Sequence, residues 1–214
     1  MLKPMIATQK GRALPATYIP QNKKKKFHYL TPDQLRRIID NAPNFRAKVA
    51  IMTMVCTGAR VTELRMLKPS SFKSIKFMGG VRYVVHIPTL KQRQEEPPDR
   101  TVPIPPQLYD LVQQYAYAYK IGEKSLLFPV SRKTVWEWVK RAAKQAGLSE
   151  DDVRPHTFRH TFAMICVWCG APPWSLNAWL GHSDIRNTLI YVHIAAEDTV
   201  QYYPQDIFSQ FVSS

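Results

Sequence analysis

The sequence has few cysteines, no long apolar run and no acidic residue among its first 32 positions. Three cysteines are too few for the disulfide framework of a small secreted domain, which favours a reducing compartment. No segment reaches the roughly 18 uninterrupted apolar residues of a membrane span. The N-terminus also lacks an apolar run before a small-residue cleavage site, so we expect no secretion signal. These absences predict a cytoplasmic protein with no membrane partner.

The chain has an excess of positive charge. Its 30 lysines and arginines outnumber 16 acidic residues, which gives a net charge of +14. Such a balance attracts polyanions and favours nucleic acid or an anionic membrane face, although a solvated basic surface has the same composition. With 214 residues, 45% of them hydrophobic, the chain is long enough for one domain with a substantial core.

Residues 1–29 are predicted to form a basic, flexible N-terminal arm. The run Lys23 to Lys26 lies in it, and the first acid is Asp33. Like charges in a row resist packing, so this segment should lack a fixed structure without a partner. The arm could contact DNA phosphates or serve only as a solubilising tail, and the sequence does not choose between them.

Ordered structure is predicted to begin at Leu30 with helices. Thr31 and Gln34 form a capping box at the start of the first helix. A second helix is predicted from about residue 44 to residue 57. Gly58 then acts as its C-cap, because glycine adopts the left-handed conformation at little cost.

From about residue 71 to residue 104 the pattern indicates strands. Gly79 and Gly80 signal a hairpin turn, and alternating apolar residues follow. Pro103 places a third short strand at an edge. The sequence therefore predicts a mainly α fold with a small antiparallel β-sheet (α+β). The connecting loop carries Lys91 and Arg93, and a basic residue on such a hairpin can reach a DNA phosphate. Two glutamates in the same loop suit an ordinary solvated loop instead.

Later segments are again helical. Ser131 can cap a helix of about 15 residues that ends before Gly147. Its basic face could lie along DNA or be solvated, and it carries Lys133, Lys140 and Lys144, with Arg132 and Arg141 near it.

Several residues of the C-terminal half are predicted to be core. Cys166 and Cys169 fall on the apolar face of a helix, and no second pair exists to complete a metal site. His160 is interpreted as a packing histidine. Three residues of the next helix are predicted to pack inward: Trp174, Ala178 and Trp179.

The stretch from Pro155 to His193 contains the residues that indicate chemistry. His156 and Arg159 are three positions apart, His182 follows in a Leu-Gly-His turn, and Tyr191 comes nine residues later. Phosphoryl transfer requires cations on the equatorial oxygens and a positioned nucleophile. A tyrosine with histidines and arginine nearby, and no metal-ligand cluster, therefore suggests phosphoryl transfer through a protein nucleophile.

These residues resemble the catalytic domain of the tyrosine recombinase (phage integrase) family. Residues 57–60, with Glu63, match the family's first arginine box. Residues 156–160 match its His-x-x-Arg box, and residues 180–182 followed by Tyr191 match its last histidine and its nucleophile. Lys91 stands where the family has its hairpin lysine. The resemblance implies a catalytic domain over residues 30–193 with the family's fold.

The resemblance also implies a role for each residue. Tyr191 would attack a DNA phosphate, leaving a 3′-phosphotyrosyl link and a free 5′-hydroxyl. Arg60, supported by Glu63, and Arg159 would hold the non-bridging oxygens, and His182 would donate a further hydrogen bond. Lys91 would protonate the leaving oxygen, and His156 would assist proton removal from the tyrosine. Because the covalent link conserves the ester, neither a cofactor nor a metal is needed.

The implied partners are double-stranded DNA, further copies of the chain in a tetramer on paired sites, and an accessory DNA-bending protein. Residues 194–214 would form a C-terminal tail that packs on a neighbouring subunit or on its own domain. A nucleoid-associated recombinase or integrase of a mobile element is the first hypothesis. A type IB-like nicking-closing topoisomerase and a non-catalytic DNA-binding regulator are the alternatives. The family usually has an N-terminal core-binding domain, which the first 30 residues cannot form.

Overall fold

The computed structural model describes residues 28–88 and 99–195. The described chain is mainly helical with one three-stranded antiparallel sheet, as the sequence predicts. Its helices are α1 (Pro32–Asp40), α2 (Phe45–Thr57), α3 (Val61–Leu64), α4 (Pro106–Ala118), α5 (Arg132–Gln145), α6 (Pro155–Trp168), α7 (Pro173–Leu180) and α8 (Arg186–Ile194). Its strands are β1 (Phe72–Phe77), β2 (Gly80–Ile87) and β3 (Arg100–Ile104), preceded by a 3-10 turn at Pro69–Ser71. Lys91, Arg93, nearly all of the predicted arm and the tail from residue 196 lie outside the described residues.

The predicted helix ends are confirmed. The Thr31 hydroxyl accepts from the Gln34 backbone N–H at 3.2 Å, and the Gln34 side chain accepts from the Thr31 N–H at 2.8 Å. Gly58 caps α2 with a φ of +62°. A Cβ at Gly58 would lie 2.7 Å from the Cδ1 atom of Phe162, so glycine also permits the close approach of α2 and α6.

The sheet has the order β1-β2-β3. In its register, Val85 of β2 lies between Phe72 of β1 and Val102 of β3, and all three side chains are buried. Pro103 lies in β3, an edge strand, where its missing N–H costs no ladder hydrogen bond. The predicted hairpin and edge position are therefore confirmed.

The core surrounds α2, which packs against α4 and α6. Its fully buried side chains come from almost every element, among them Ile38, Ile51, Met54, Leu64, Ile87, Leu108, Phe128 and Phe158. This packing brings the end of α2 next to the start of α6, which is where the two predicted arginine boxes lie. No helix of the described segments is long and apolar enough to cross a membrane.

Some predictions about burial were wrong. Trp174 is 72% exposed and Ala178 is exposed, because the short α7 buries only the stripe of Leu176 and Leu180. Trp179 is half-buried against the core, as predicted. Cys166 is only partly buried and Cys169 is exposed at the end of α6, so the core prediction fails for Cys169.

Candidate active site

Arg60 lies between the C-cap of α2 and the first turn of α3. Its Nη1 atom donates to Oε1 of Glu63 at 2.7 Å, and its backbone N–H donates to Oε2 of Glu63 at 2.7 Å. The carboxylate is completely buried, while 21% of the Arg60 side chain is exposed. Glu63 therefore fixes Arg60 at both ends and leaves part of its guanidinium accessible.

Arg100, the first residue of β3, is a second partner of this carboxylate. Its Nη2 atom donates to Oε2 of Glu63 at 2.8 Å, and the side chain is almost fully buried. Burial alone would raise the pKa of Glu63, but the hydrogen bond and charge of Arg100, with those of Arg60, lower it below its usual value. Glu63 is therefore a stable anion between two cations.

Arg159 projects from the second turn of α6 and is 4% exposed. Its Nη1 atom donates to the carbonyl of Gly58 at 2.8 Å, and its Nη2 atom donates to the carbonyl of Leu180. The side chain thus joins the end of α2 to the end of α7. Burial, followed by the charge of Arg60, lowers the pKa of Arg159 to about 9, so it remains a cation at neutral pH.

His156 lies in the first turn of α6 and is exposed. Neighbouring side chains nevertheless shield part of the ring from water, and this desolvation, then the charges of Arg159 and Arg60, lower the pKa of His156 below its usual value. The imidazole is therefore close to both predicted arginines and favours its neutral form. This is the protonation state that a proton acceptor needs.

His182 follows the left-handed Gly181 that ends α7. Its Nδ1 atom lies 2.9 Å from the hydroxyl oxygen of Thr188 in α8. Asn177 contacts the same pair: its Nδ2 donates to the carbonyl of His182 at 3.1 Å, and its Oδ1 accepts from the Thr188 hydroxyl at 2.9 Å. Thr188 of α8 therefore contacts the ring, and Asn177 of α7 fixes both the His182 backbone and the Thr188 hydroxyl.

Tyr191 lies in α8 and is 4% exposed. Its hydroxyl lies 2.8 Å from Nδ1 of His160, a residue for which the sequence suggested only packing. Burial raises the pKa of Tyr191, and the charges of Arg159 and Arg60 act against this rise. The phenol is thus within electrostatic reach of both arginines that the sequence analysis selected.

A cleft of about 630 Å³ opens beside Arg60 and His156. Its wall carries further basic residues and one aromatic side chain, and these are Arg132, Lys133, Arg154 and Trp136. Lys133 was predicted from the sequence as a DNA contact, with Arg132 near the same face of its helix. Arg154 was missed because it is unremarkable until the fold brings α5 and α6 together.

The other basic residues of α5 differ in their surroundings. Lys140 and Lys144 share the carboxylate of Glu150, at 3.3 Å and 3.8 Å. The ammonium of Lys140 also lies 4.4 Å from the centre of the Trp136 ring. Arg141 is exposed. Part of the positive charge of this helix is therefore neutralised within the chain.

The described residues contain no group of three or more metal-ligating side chains. The structure does bring together Arg60, Glu63, His156, Arg159 and Tyr191, through direct contacts or mutual electrostatic influence. Arg100 was also missed, and no sequence signal separates it from the other basic residues near the hairpin. The geometry combines an anion-binding cluster of arginines with a phenol hydroxyl, which suits transfer of a phosphoryl group to tyrosine.

Most of the chain matches a known protein family. The model of the phage integrase family matches residues 28–198. A tyrosine recombinase of Thermosipho africanus is 30% identical over 182 residues, which cover 84% of this chain and 62% of the relative. This chain therefore spans about three fifths of the length of that relative.

Two solved structures share the fold. The crystal structure of XerA recombinase superimposes with a TM-score of 0.64 and 25% identity, covering 82% of this chain and 65% of that one. The catalytic domain of bacteriophage HP1 integrase gives a TM-score of 0.57 and 23% identity, covering 84% of this chain and 96% of that domain.

Proposed function

The chain belongs to the phage integrase family, and from this membership we propose that it is a site-specific DNA recombinase that cuts and rejoins strands through Tyr191. The observation that supports this most directly is the placement of the Tyr191 phenol within the electrostatic reach of Arg60 and Arg159. A phenol with a pKa near ~10 needs such cations to attack as a phenolate.

In the proposed reaction, the Tyr191 oxygen forms a bond to the scissile phosphorus while the bond to the 5′-oxygen breaks. The product is a 3′-phosphotyrosyl link and a 5′-hydroxyl. Attack of a 5′-hydroxyl on that link reverses the step and releases the tyrosine. One ester replaces another in each step, so no external energy source enters the balance.

Arg60 and Arg159 are proposed to bind the non-bridging oxygens. Arg60 is partly accessible at the cleft. A guanidinium has five N–H donors, and Arg159 uses one bond to Gly58 and one to Leu180, which leaves donor capacity for a phosphate. Charge-assisted hydrogen bonds of this kind stabilise the charge that develops in the transition state.

Three further residues are proposed to handle protons. Lys91, which follows β2 in the sequence and lies outside the described residues, would protonate the leaving 5′-oxygen. His156, whose lowered pKa favours the neutral ring, would assist removal of the phenol proton. His182 would donate to a non-bridging oxygen.

Double-stranded DNA is the proposed partner, bound along the basic cleft by Arg132, Lys133 and Arg154. Exchange of both strands between two duplexes needs four cleavages and therefore four tyrosines. A tetramer of one copy per cleavage site meets this need. An accessory DNA-bending protein is proposed from the family resemblance.

The decisive experiment is covalent capture on a nicked suicide substrate built from the flanking genomic sequence. The wild-type protein should form a covalent complex, and Tyr191→Phe should form none while retaining DNA affinity, because phosphate contacts supply most of that affinity. Tyr109→Phe, a change that removes a hydroxyl elsewhere, is the matched control. Two further tyrosines, Tyr202 and Tyr203, follow in the C-terminal segment of the sequence. An adduct in Tyr191→Phe would transfer the role to one of them and end this assignment.

Two assays separate the alternative functions. A recombinase joins strands of two differently labelled duplexes, whereas a nicking-closing topoisomerase relaxes one supercoiled plasmid without exchange. A DNA-binding regulator does neither and yields no covalent complex with any substrate.

A further inference from the structure

The burial of Arg100 reduces the stability of this fold. Arg100 is 6% exposed, and a buried guanidinium must be stripped of water. Its Nη1 atom is buried with no hydrogen-bond partner among the described residues. An uncompensated donor of this kind reduces stability. The stability of the fold alone therefore does not explain an arginine at this position.

One end of the Arg100 side chain contacts Glu63, the partner of Arg60. Its Nη2 atom donates to Oε2 of Glu63, the oxygen that also accepts from the Arg60 backbone N–H. The remaining oxygen of Glu63 binds Nη1 of Arg60. Because Arg100 keeps this carboxylate ionised and fixed in rotation, it indirectly sets the direction of the Arg60 guanidinium.

The same side chain reaches the turn that carries His182. Its Nε atom donates to the carbonyl of Trp179 at 2.7 Å, a carbonyl in the last turn of α7, where helical partners run out. Its aliphatic stem packs against Gly181: a Cβ there would lie 2.9 Å from Cδ of Arg100. His182 follows immediately along the chain.

We propose that Arg100 is a positioning residue that holds Arg60 and His182 in one fixed arrangement around the scissile phosphate. This inference rests on the proposed function. Arg100 touches no reacting atom; it acts through Glu63 at one end and through the end of α7 at the other. Its buried charge thus serves the geometry of the site at some expense of stability.

The test is Arg100→Met, measured by single-turnover formation of the covalent complex at saturating protein. Displacement of a catalytic group by about 1 Å can cost 10²-fold in rate, and we expect a loss of about that size with unchanged DNA affinity. Arg100→Lys keeps a cation beside Glu63 but not the planar fork, so it should recover only part of the rate. Arg37→Met is the matched control, because Arg37 Nη1 donates to the distant carbonyl of Ala146.

A double-mutant cycle separates positioning from general structural damage. If Arg100 acts through Arg60, the decrease in rate caused by Arg100→Met should be smaller by about tenfold or more in an Arg60→Ala background than in the wild-type background. Independent losses that multiply would overturn the proposal, as would a rate equal to that of Arg37→Met. Failure of both Arg100→Met and Arg100→Lys to fold, judged by circular dichroism, would make Arg100 a folding residue and also overturn it.

The reaction of the wild-type protein shows whether the proposed function or only the role of Arg100 fails. No covalent complex with the wild-type protein would remove the proposed function and this inference together. A wild-type protein that reacts, with an equally fast Arg100→Met variant, would overturn the role of Arg100 alone.

Discussion

The Nδ1 atom of His160 lies 2.8 Å from the hydroxyl of Tyr191, a contact that joins α6 to α8 in the candidate site. Burial, with the charges of His156 and Arg159, lowers the pKa of His160 to about 4. The ring is therefore neutral at pH 7 and a weak base. It suits orienting the phenol more than removing its proton, a task that the family resemblance gives to His156.

Replacing His160 should separate orientation from proton removal. His160→Leu loses the polar contact and should slow covalent-complex formation about fivefold to tenfold, the value of about one hydrogen bond. His160→Asn can place a polar atom near the position of Nδ1 and should recover most of the rate. DNA affinity should stay unchanged in both. Wild-type kinetics in His160→Leu would contradict an orienting role.

The same histidine should make stability depend on pH. Its pKa in the native chain is about 4 against an ordinary 6.5, so between these values the unfolded chain binds a proton that the native chain does not. The free energy of unfolding should therefore fall as the pH falls from about 6.5 towards 4. Urea unfolding at pH 7 and pH 5 measures this, and the difference should be smaller in His160→Asn. An equal difference in both proteins would assign the effect to other groups.

Hydrogen-bond direction predicts where His182 carries its proton. A carbonyl can only accept, so Asn177 must present Nδ2 to the carbonyl of His182 and Oδ1 to Thr188. The Thr188 hydroxyl then donates to Asn177 and must accept from Nδ1 of His182. Nδ1 is therefore protonated in either charge state, and Nε2 can donate to a phosphate only in the imidazolium.

Nitrogen-15 NMR of histidine-labelled protein tests this directly. The neutral His182 ring should show the Nδ1–H tautomer, and Thr188→Val, which keeps the shape but removes the acceptor, should shift the ring towards Nε2–H. Asn177→Asp removes the amide donor and should disturb the same signal. A neutral wild-type ring protonated on Nε2 would refute the assigned directions.

Lys91 can be tested as a general acid by changing the leaving group. An alkoxide benefits from a proton donor by about 10²–10⁴-fold, whereas a thiolate, whose parent thiol has a pKa near ~8.5, hardly needs one. Lys91→Ala should cleave ordinary DNA very slowly but DNA with a 5′-bridging sulfur at nearly the wild-type rate. Arg60→Ala and Arg159→Ala should be defective on both. Rescue of Arg93→Ala instead would move the role two residues along the loop.

The basic cleft predicts a graded salt dependence. If Arg132 and Arg154 each bind a phosphate, replacing either with alanine should reduce the slope of log affinity against log salt by about 1. Lys144→Ala is the control, since Lys144 shares Glu150 with Lys140 and should change the slope less. Equal changes in all three variants would mean that the cleft does not direct DNA binding.

The sequence was sufficient to predict most of the helices and the hairpin, whereas the roles of the box residues stay predictions. Local signals explain this success: the capping box of Thr31, the left-handed Gly58 and the alternation in β2 each act within a few residues. The boxes were recognised by their resemblance to a known family, and the spacing of His156 and Arg159 places both residues on one helix.

Contacts between distant segments could not be predicted from the sequence. His160 and Tyr191 are 31 positions apart, and Arg100 and Glu63 are 37 apart, so neither pair is visible before the fold is known. The burial of α7 was misjudged for another reason. An eight-residue helix bounded by a proline and a glycine needs only one apolar stripe, and Leu176 and Leu180 supply it without Trp174.

The carboxylate of Glu63 binds the guanidinium groups of Arg60 and Arg100 and lies within electrostatic reach of the Arg159 guanidinium. Burial contributes most to the lowered pKa of Arg159, and the charges of Arg60 and Arg100 lower it further, a sign of mutual repulsion within the native chain. An anion that enters this cluster relieves the repulsion only in the folded protein, and it therefore raises the melting temperature with its concentration. Phosphate and sulfate should accordingly stabilise the protein during purification and compete with DNA in cleavage assays. Thermal melting of the Tyr191→Phe variant then becomes a way to rank candidate DNA sites without any strand being cut.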